Sequence, residues 1–178
     1  MTDRLKDKVA LVTGGGSGIG RAAALAFARE GARAVVADVD EERGQATVNA
    51  IGNPDSRAMF VKAHVSQRTD VEVMIDRTVD LYGRLDCAFN NAGIEGAVGV
   101  ATSDYPEDTW DEVININLKG IWLCMKHELS QTRRELTAAA GSLLVSLYEQ
   151  SPDEGGASCH AWLQRWQGYR PLGIGRGR

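Results

Sequence analysis

The chain lacks several features that would each mark a class of protein. No apolar run approaches the roughly 20 residues that span a bilayer. Met1-Thr2-Asp3-Arg4-Leu5-Lys6-Asp7 has no apolar core of the signal-peptide kind. A membrane span and a secretory leader are therefore not expected, and a cytoplasmic location is. Cysteine is scarce: Cys87, Cys124 and Cys159 are odd in number and far apart, which argues against a disulfide framework or a metal site and for reduced thiols. Positive charge does not dominate either. Twenty Lys and Arg against 24 Asp and Glu leave a net charge of −4, so there is no basic footprint for nucleic acid. Finally, no lysine follows Lys126.

What is present is organised around Thr13-Gly14-Gly15-Gly16-Ser17-Gly18-Ile19-Gly20. The stretch follows Val9-Ala10-Leu11-Val12, which has strand length and composition. It opens onto residues 21–30, rich in strong helix formers and closed by Gly31. In a strand–turn–helix context a glycine turn has a mechanism. Without β-carbons the backbone can close on a phosphate, and the N–H groups and positive end of the next helix point at the anion. Standing alone, such a turn could also bind nothing.

The remaining segments alternate. Ala32 to Asp38 predicts a second strand, Glu41 to Ile51 a polar-faced helix stopped at Gly52-Asn53-Pro54, and Arg57 to Ala63 a third strand. Val71, Met74, Ile75, Thr78, Val79 and Tyr82 recur at helical spacing before Gly83, and Leu85 to Phe89 predicts a fourth strand. Residues 94–106 read as a loop. Glu107 to about Gln131 reads as one long helix with an extended apolar face, suited to the sheet and to a subunit contact. Ser142 to Ser146 is the fifth strand. Alternating strands and helices predict an α/β fold, a doubly wound parallel sheet with helices on both faces and ligands bound beyond the strand C-termini.

Lys8 through Gly20, then Asp38, Asn90-Asn91-Ala92-Gly93, and Asn115-Ile116-Asn117-Leu118-Lys119-Gly120 occur in the order and spacing of one family. Over its first 140 residues or so the chain resembles the short-chain dehydrogenases/reductases. The resemblance implies a Rossmann-type NAD(P)-binding domain over residues 1–147, with the family's C-terminal strands and helices missing and a divergent, loosely ordered tail over 148–178. It implies hydride transfer between nicotinamide and a small-molecule secondary alcohol or ketone. It also implies that Gly14, Ser17, Gly18, Ile19 and Gly20 hold the cofactor, that Asn91, Ala92 and Gly93 back it near the adenosine ribose, and that Asn117 is the active-site asparagine that kinks its helix and holds a relay water. His64-Val65 stands where the family usually has an Asp-Val pair against the adenine. His64 either still contacts the adenine or is an exposed loop histidine. Asp38, 18 residues beyond Gly20, can accept bonds from the ribose hydroxyls and repel a 2′-phosphate, which favours NAD(H) over NADP(H).

The family's proton chemistry uses a tyrosine, a lysine four residues later and a serine, because a phenol with a pKa near 10 needs a nearby cation to act as a base at neutral pH. Tyr82, Tyr105, Tyr148 and Tyr169 are followed four residues on by Asp86, Thr109, Pro152 and Gly173. Ser146 is about two strand residues, or roughly 6–7 Å, from the expected serine register. Two functions follow: a short-chain oxidoreductase, or a catalytically silent nucleotide-binding or partner-binding chain. The segment after residue 150 is glycine- and arginine-rich without a period. Codons for His160 to Arg178, read from the second base, can spell Met-Pro-Gly-Tyr-Ser-Ala-Gly-Lys-Val-Ile-Gly, a tyrosine–lysine helix of the family type. A shift of reading frame between about residues 141 and 160 is therefore expected. Sequencing the gene should show that helix in the alternative frame; an in-frame gene with no such helix downstream would overturn the idea.

Overall fold

In the computed structural model of the chain, residues 3–52, 57–136 and 144–147 are described. Strands β1 (Val9–Thr13), β2 (Arg33–Asp38), β3 (Ala58–Lys62), β4 (Cys87–Asn90) and β5 (Leu144–Leu147) form one sheet in the order β3-β2-β1-β4-β5. Every neighbouring pair is parallel. Helices α1 (Gly18–Arg29), α2 (Glu41–Ile51), α3 (Arg68–Tyr82), α4 (Glu107–Ile114) and α5 (Ile121–Leu136) complete the chain order, with a short 3-10 turn at Thr102–Asp104. The doubly wound parallel architecture predicted from the alternation is the observed one. The tail assigned to residues 148–178 lies outside the described residues, and so do Cys159 and the side chains of β5.

The core explains why the strands read as continuous apolar runs. Val9, Leu11, Val35, Ala37 and Val61 point to a layer containing Val71, Met74 and Ile75 of α3 and Leu123 and Cys124 of α5. Val12, Ala34, Val36 and Ala58 point the other way, toward Ala24 and Phe27 of α1 and Val48 and Ile51 of α2. A parallel sheet covered on both faces cannot alternate apolar with polar. Each fully buried Val or Leu here contributes about 1.5–3 kcal/mol. At the opposite edge from the strand C-termini, the buried Asp86 carboxylate accepts the Val9 N–H at 3.0 Å and meets Lys8 and Arg84, which fixes where β1 begins.

Helix limits follow local chemistry. Asp40 caps α2 by accepting the Arg43 N–H at 3.0 Å. Gly83, at φ +77°, ends α3 in the left-handed conformation that an L side chain disfavours. The helical stretch expected from Glu107 to about Gln131 is interrupted where the resemblance puts a kink, at Asn117. The stretch is α4, a π-helical turn at Asn115–Gly120, and α5 running on to Leu136. Apolar periodicity does not register such an insertion, because one wider turn shifts the phase by less than the width of the apolar face.

The strand order reverses between β1 and β4, so their C-terminal ends, Thr13 and Asn90, flank a crevice of the kind in which open parallel sheets bind ligands. On the outer side of the sheet, α2 approaches β3 so closely that a β-carbon on Gly44 would lie 2.1 Å from the Phe60 ring. Helix propensity alone would make Gly44→Ala stabilising by about 1 kcal/mol. The contact instead predicts a loss of about 1–3 kcal/mol, measured by urea unfolding and relieved by adding Phe60→Leu. An alanine variant as stable as the parent would mean that the ring can move aside.

Candidate functional site

Three segments meet at the crevice: the turn after β1, the end of β2 and the loop after β4. Gly14, at φ +65°, occupies a left-handed position, and a β-carbon there would fall 2.9 Å from Ala92 Cα. A β-carbon on Gly20 would lie 2.1 Å from the Gly14 carbonyl oxygen and 2.6 Å from Asn91 Nδ2. The turn is thus folded back on itself and onto the loop after β4, leaving room for backbone only at Gly14 and Gly20. Ser17, Gly18 and Ile19 are exposed at the start of α1. The Ser17 side chain makes no capping bond, and α1 has no acid in its first turn. The helix therefore presents its positive end with no carboxylate from its own first turn.

Asp38 stands at the end of β2, beside the turn. Its carboxylate accepts the Gly16 N–H at 2.8 Å and the Asp40 N–H at 3.0 Å. A carboxylate offers about four acceptor positions, so two backbone bonds orient it and leave capacity for a ligand hydroxyl.

The loop after β4 is tied to the turn by a residue that the sequence reading did not single out. Thr13 is buried, and its Oγ1 accepts the Asn91 N–H at 3.0 Å and the Ala92 N–H at 3.1 Å. Asn91 Nδ2 returns bonds to the Thr13 carbonyl at 3.1 Å and the Gly14 carbonyl at 3.4 Å. The Asn91 amide nitrogen, expected near a ribose, is thus engaged by the backbone of the glycine turn. A threonine immediately before the first glycine was the available signal. Its hydroxyl is the acceptor that two consecutive N–H groups need.

His64 and Val65 follow β3. The His64 N–H donates to Asp70 at 2.9 Å and its Nδ1 lies 2.9 Å from Ser66 Oγ, which orients the ring by its neighbours. Val65 is buried against the π-turn: a β-carbon on Gly120 would come within 2.8 Å of Val65 Cγ2. Within that turn, Asn117 Oδ1 accepts the Ile94 N–H at 2.9 Å and its Nδ2 donates to the Ile94 carbonyl at 2.8 Å. Asn117 is therefore a two-point splint between the helix and the loop that continues from Gly93. π-turns inside helices recur at functional sites, and here the turn carries the splint.

Other side chains are held away from acid–base work. Tyr105 Oη accepts the Ala97 N–H at 3.0 Å and shapes the 94–106 loop. Tyr82 is buried beside Arg33, and burial pushes its phenol up. The Cys87 thiol is pushed up to about 11 by burial and Asp86, and burial raises that of Cys124 further; neither is a thiolate nucleophile at neutral pH. Ser146 and Tyr148 lie outside the residues whose side chains are described. One buried acid was missed. Glu128 on α5 is fully buried, and its Oε2 accepts Asn90 Nδ2 at 3.0 Å. The stripe Ile116, Gly120, Cys124, Glu128, Thr132 has a four-residue period that would have placed it inward.

Among the described residues there is no group of three His, Cys, Asp or Glu placed to hold a metal ion, and no helix is long and apolar enough to cross a membrane. The site is instead a backbone cradle, an oriented carboxylate and a splinted loop. A dinucleotide fits the first two: a β-carbon at Gly14, Gly16 or Gly20 would lie within 3 Å of a neighbouring atom, and Asp38 has acceptor capacity left.

Residues 8–143 match the family model described as short chain dehydrogenase. The chain is 37% identical over 159 residues to secoisolariciresinol dehydrogenase of Forsythia intermedia, covering 89% of this chain and 55% of that one. It is 39% identical over 136 residues to levodione reductase of Leifsonia aquatica, covering 75% and 51%. The crystal structure of levodione reductase superposes with a TM-score of 0.72 at 37% identity, over 80% of this chain and 54% of that one. A 3-ketoacyl-(acyl-carrier-protein) reductase from Brucella melitensis complexed with NADH superposes equally well, with a TM-score of 0.72 at 28% identity, over 79% and 57%. The chain spans about half the length of these relatives. Fold, motif order and family match agree: this chain belongs to the short-chain dehydrogenase/reductase family.

Proposed function

We propose that this chain binds NAD(H) in preference to NADP(H) and is the nucleotide-binding part of an oxidoreductase acting on a secondary alcohol or ketone. The observation that carries the reading is the Thr13–Gly20 turn, closed to side chains at Gly14, Gly15, Gly16 and Gly20 and set beside the oriented Asp38 carboxylate. In this reading Gly14, Ser17, Gly18, Ile19 and Gly20 hold the pyrophosphate by backbone and helix end, Asp38 accepts the ribose hydroxyls, and His64 with Val65 borders the adenine. Asn91, Ala92 and Gly93 support the cofactor from behind, and Asn117 keeps their loop against the helix. The bound nicotinamide supplies the hydride chemistry. The residues here orient it and discriminate against a 2′-phosphate through like-charge repulsion at Asp38.

A second reading, a silent nucleotide-binding chain, is favoured by one observation: no Tyr-x-x-x-Lys pair occurs in the sequence. Self-association belongs to either reading. Trp110, Leu118, Trp122 and Leu129 of the α4–α5 segment are 49–64% exposed, an apolar face suited to a second copy.

Fluorescence titration should give NADH affinity at least about tenfold tighter than NADPH, a gap near 1.4 kcal/mol, and Asp38→Ala should narrow it. Equal affinities would remove the NAD(H) preference. Gly20→Ala should abolish binding while circular dichroism shows the fold retained. Turnover of a secondary-alcohol panel above background supports the enzyme; NADH binding without turnover supports the silent chain. In sedimentation, Trp122→Glu should shift the chain toward monomer.

A further inference from the structure

The Asn90–Glu128 contact is incomplete in a specific way. Asn90 is 1% exposed at the end of β4, and Glu128 is 0% exposed on α5. Asn90 Nδ2 donates to Glu128 Oε2 at 3.0 Å. The remaining two oxygens, Asn90 Oδ1 and Glu128 Oε1, are buried with no hydrogen-bond partner among the described residues. Both are acceptors when the carboxyl is ionised, and buried acceptors without donors are costly. A single proton on Glu128 changes the arithmetic. A carboxylic acid and a primary amide each offer one donor and one acceptor side by side, and the two are complementary.

The surroundings favour the protonated form. Among the described residues, Glu128 has no ion-pair partner. On its own helix it faces the Cys124 thiol, while the Thr132 hydroxyl donates to the Glu128 main-chain carbonyl. From β4 it faces the Asn90 amide. From α3 the charged group toward α5 is Glu72, which is met by Arg68 at 2.9 Å and by His127 at 3.8 Å. Burial pushes the Glu128 carboxyl up from 4.5 to about 7, with the Asn90 bond opposing it.

We propose that Glu128 is a positioning residue for the nucleotide-binding edge: as a buried acid–amide pair with Asn90 it fixes the end of β4, and through it the Asn91–Ala92 clamp on Thr13 and Gly14. Asn90 directly precedes the residues whose N–H groups bond Thr13 Oγ1. Ionising Glu128 leaves Oε1 and Asn90 Oδ1 without a donor and draws the carboxylate toward water, which loosens the strand end. The consequence for binding rests on the NAD(H) reading; the pair itself does not.

The sign follows from the folded value lying above the unfolded one. Between about pH 4.5 and 7 the folded chain holds more protons than the unfolded chain. The pair's contribution to stability is therefore full below about 4.5, falls as pH rises through 7, and is gone above it.

The test uses the full 178-residue chain as wild type, Glu128→Gln and Glu128→Leu. Glutamine keeps a donor and an acceptor opposite Asn90 and cannot titrate, so the difference between the two pH profiles isolates Glu128. First, a ¹³C carboxyl titration, with the resonance identified by its absence in Glu128→Gln, should show a midpoint near neutrality; a midpoint in the ordinary glutamate range overturns the pair. Second, amide hydrogen exchange at one pH should leave Asn91 and Ala92 protected in wild type and Glu128→Gln and exchange them at least about tenfold faster in Glu128→Leu; unchanged exchange overturns the positioning role. If the leucine variant does not fold, urea stability against pH decides, with a fall between about pH 4.5 and 7 that is steeper in wild type than in Glu128→Gln; equal slopes overturn the proposal. Third, NADH affinity of wild type should fall about fivefold or more beyond that of Glu128→Gln from about pH 6 to about pH 8.5; parallel profiles overturn it. Failure of NADH to bind at every pH would remove the NAD(H) reading, while the carboxyl and exchange measurements still judge the pair.

Discussion

The Thr13 hydroxyl accepts two backbone N–H groups from residues 78 and 79 positions further along the chain, and the rest of the site depends on that contact. It joins the ends of β1 and β4 where the strand order reverses. Because Asn91 then bonds back to the carbonyls of Thr13 and Gly14, the glycine turn is held from outside as well as by its own sterics. A turn of this glycine content would otherwise lose more conformational entropy on ordering than any other kind of segment. Pinning it across the crevice makes the cradle a fixed object and not one that each ligand must assemble.

Two further ties extend the same logic outward. Asn117 bonds both polar groups of Ile94, so the chain leaving Gly93 is fastened to the helical layer before the 94–106 loop begins. Glu128 reaches the end of β4 from below through Asn90. The candidate site is thus a set of short loops on a parallel sheet, each anchored by side-chain amides, hydroxyls or carboxylates. This is how a small number of polar residues orients a ligand site without occupying it.

Much of this was legible in the sequence where the signal is local. The run Val9–Val12, the glycine spacing, Asp38 at the end of β2, and the helix over Arg68–Tyr82 with Gly83 behind it all sit where the periodicity and breakers put them. The long helix was legible in extent from its periodicity, and its interruption only through the resemblance that puts a kink at Asn117. The π-turn at Asn115–Gly120 lies inside an apolar pattern that tolerates one wide turn. The inward orientation of Glu128 was encoded in a four-residue stripe, yet a charged side chain on an amphipathic helix ordinarily faces water.

By itself, then, the sequence determined the alternation of strands and helices, the shape of the glycine turn and the placing of a carboxylate near it, because each depends on spacing within a few turns of chain. Only the tertiary structure decided which partner each polar group found: Thr13 with Asn91 and Ala92, Asn117 with Ile94, Asn90 with Glu128. Those partners lie 23 to 79 residues apart. Whether they meet is set by strand order and register, and the energy that sets these comes from burying the two apolar layers, not from the polar groups themselves.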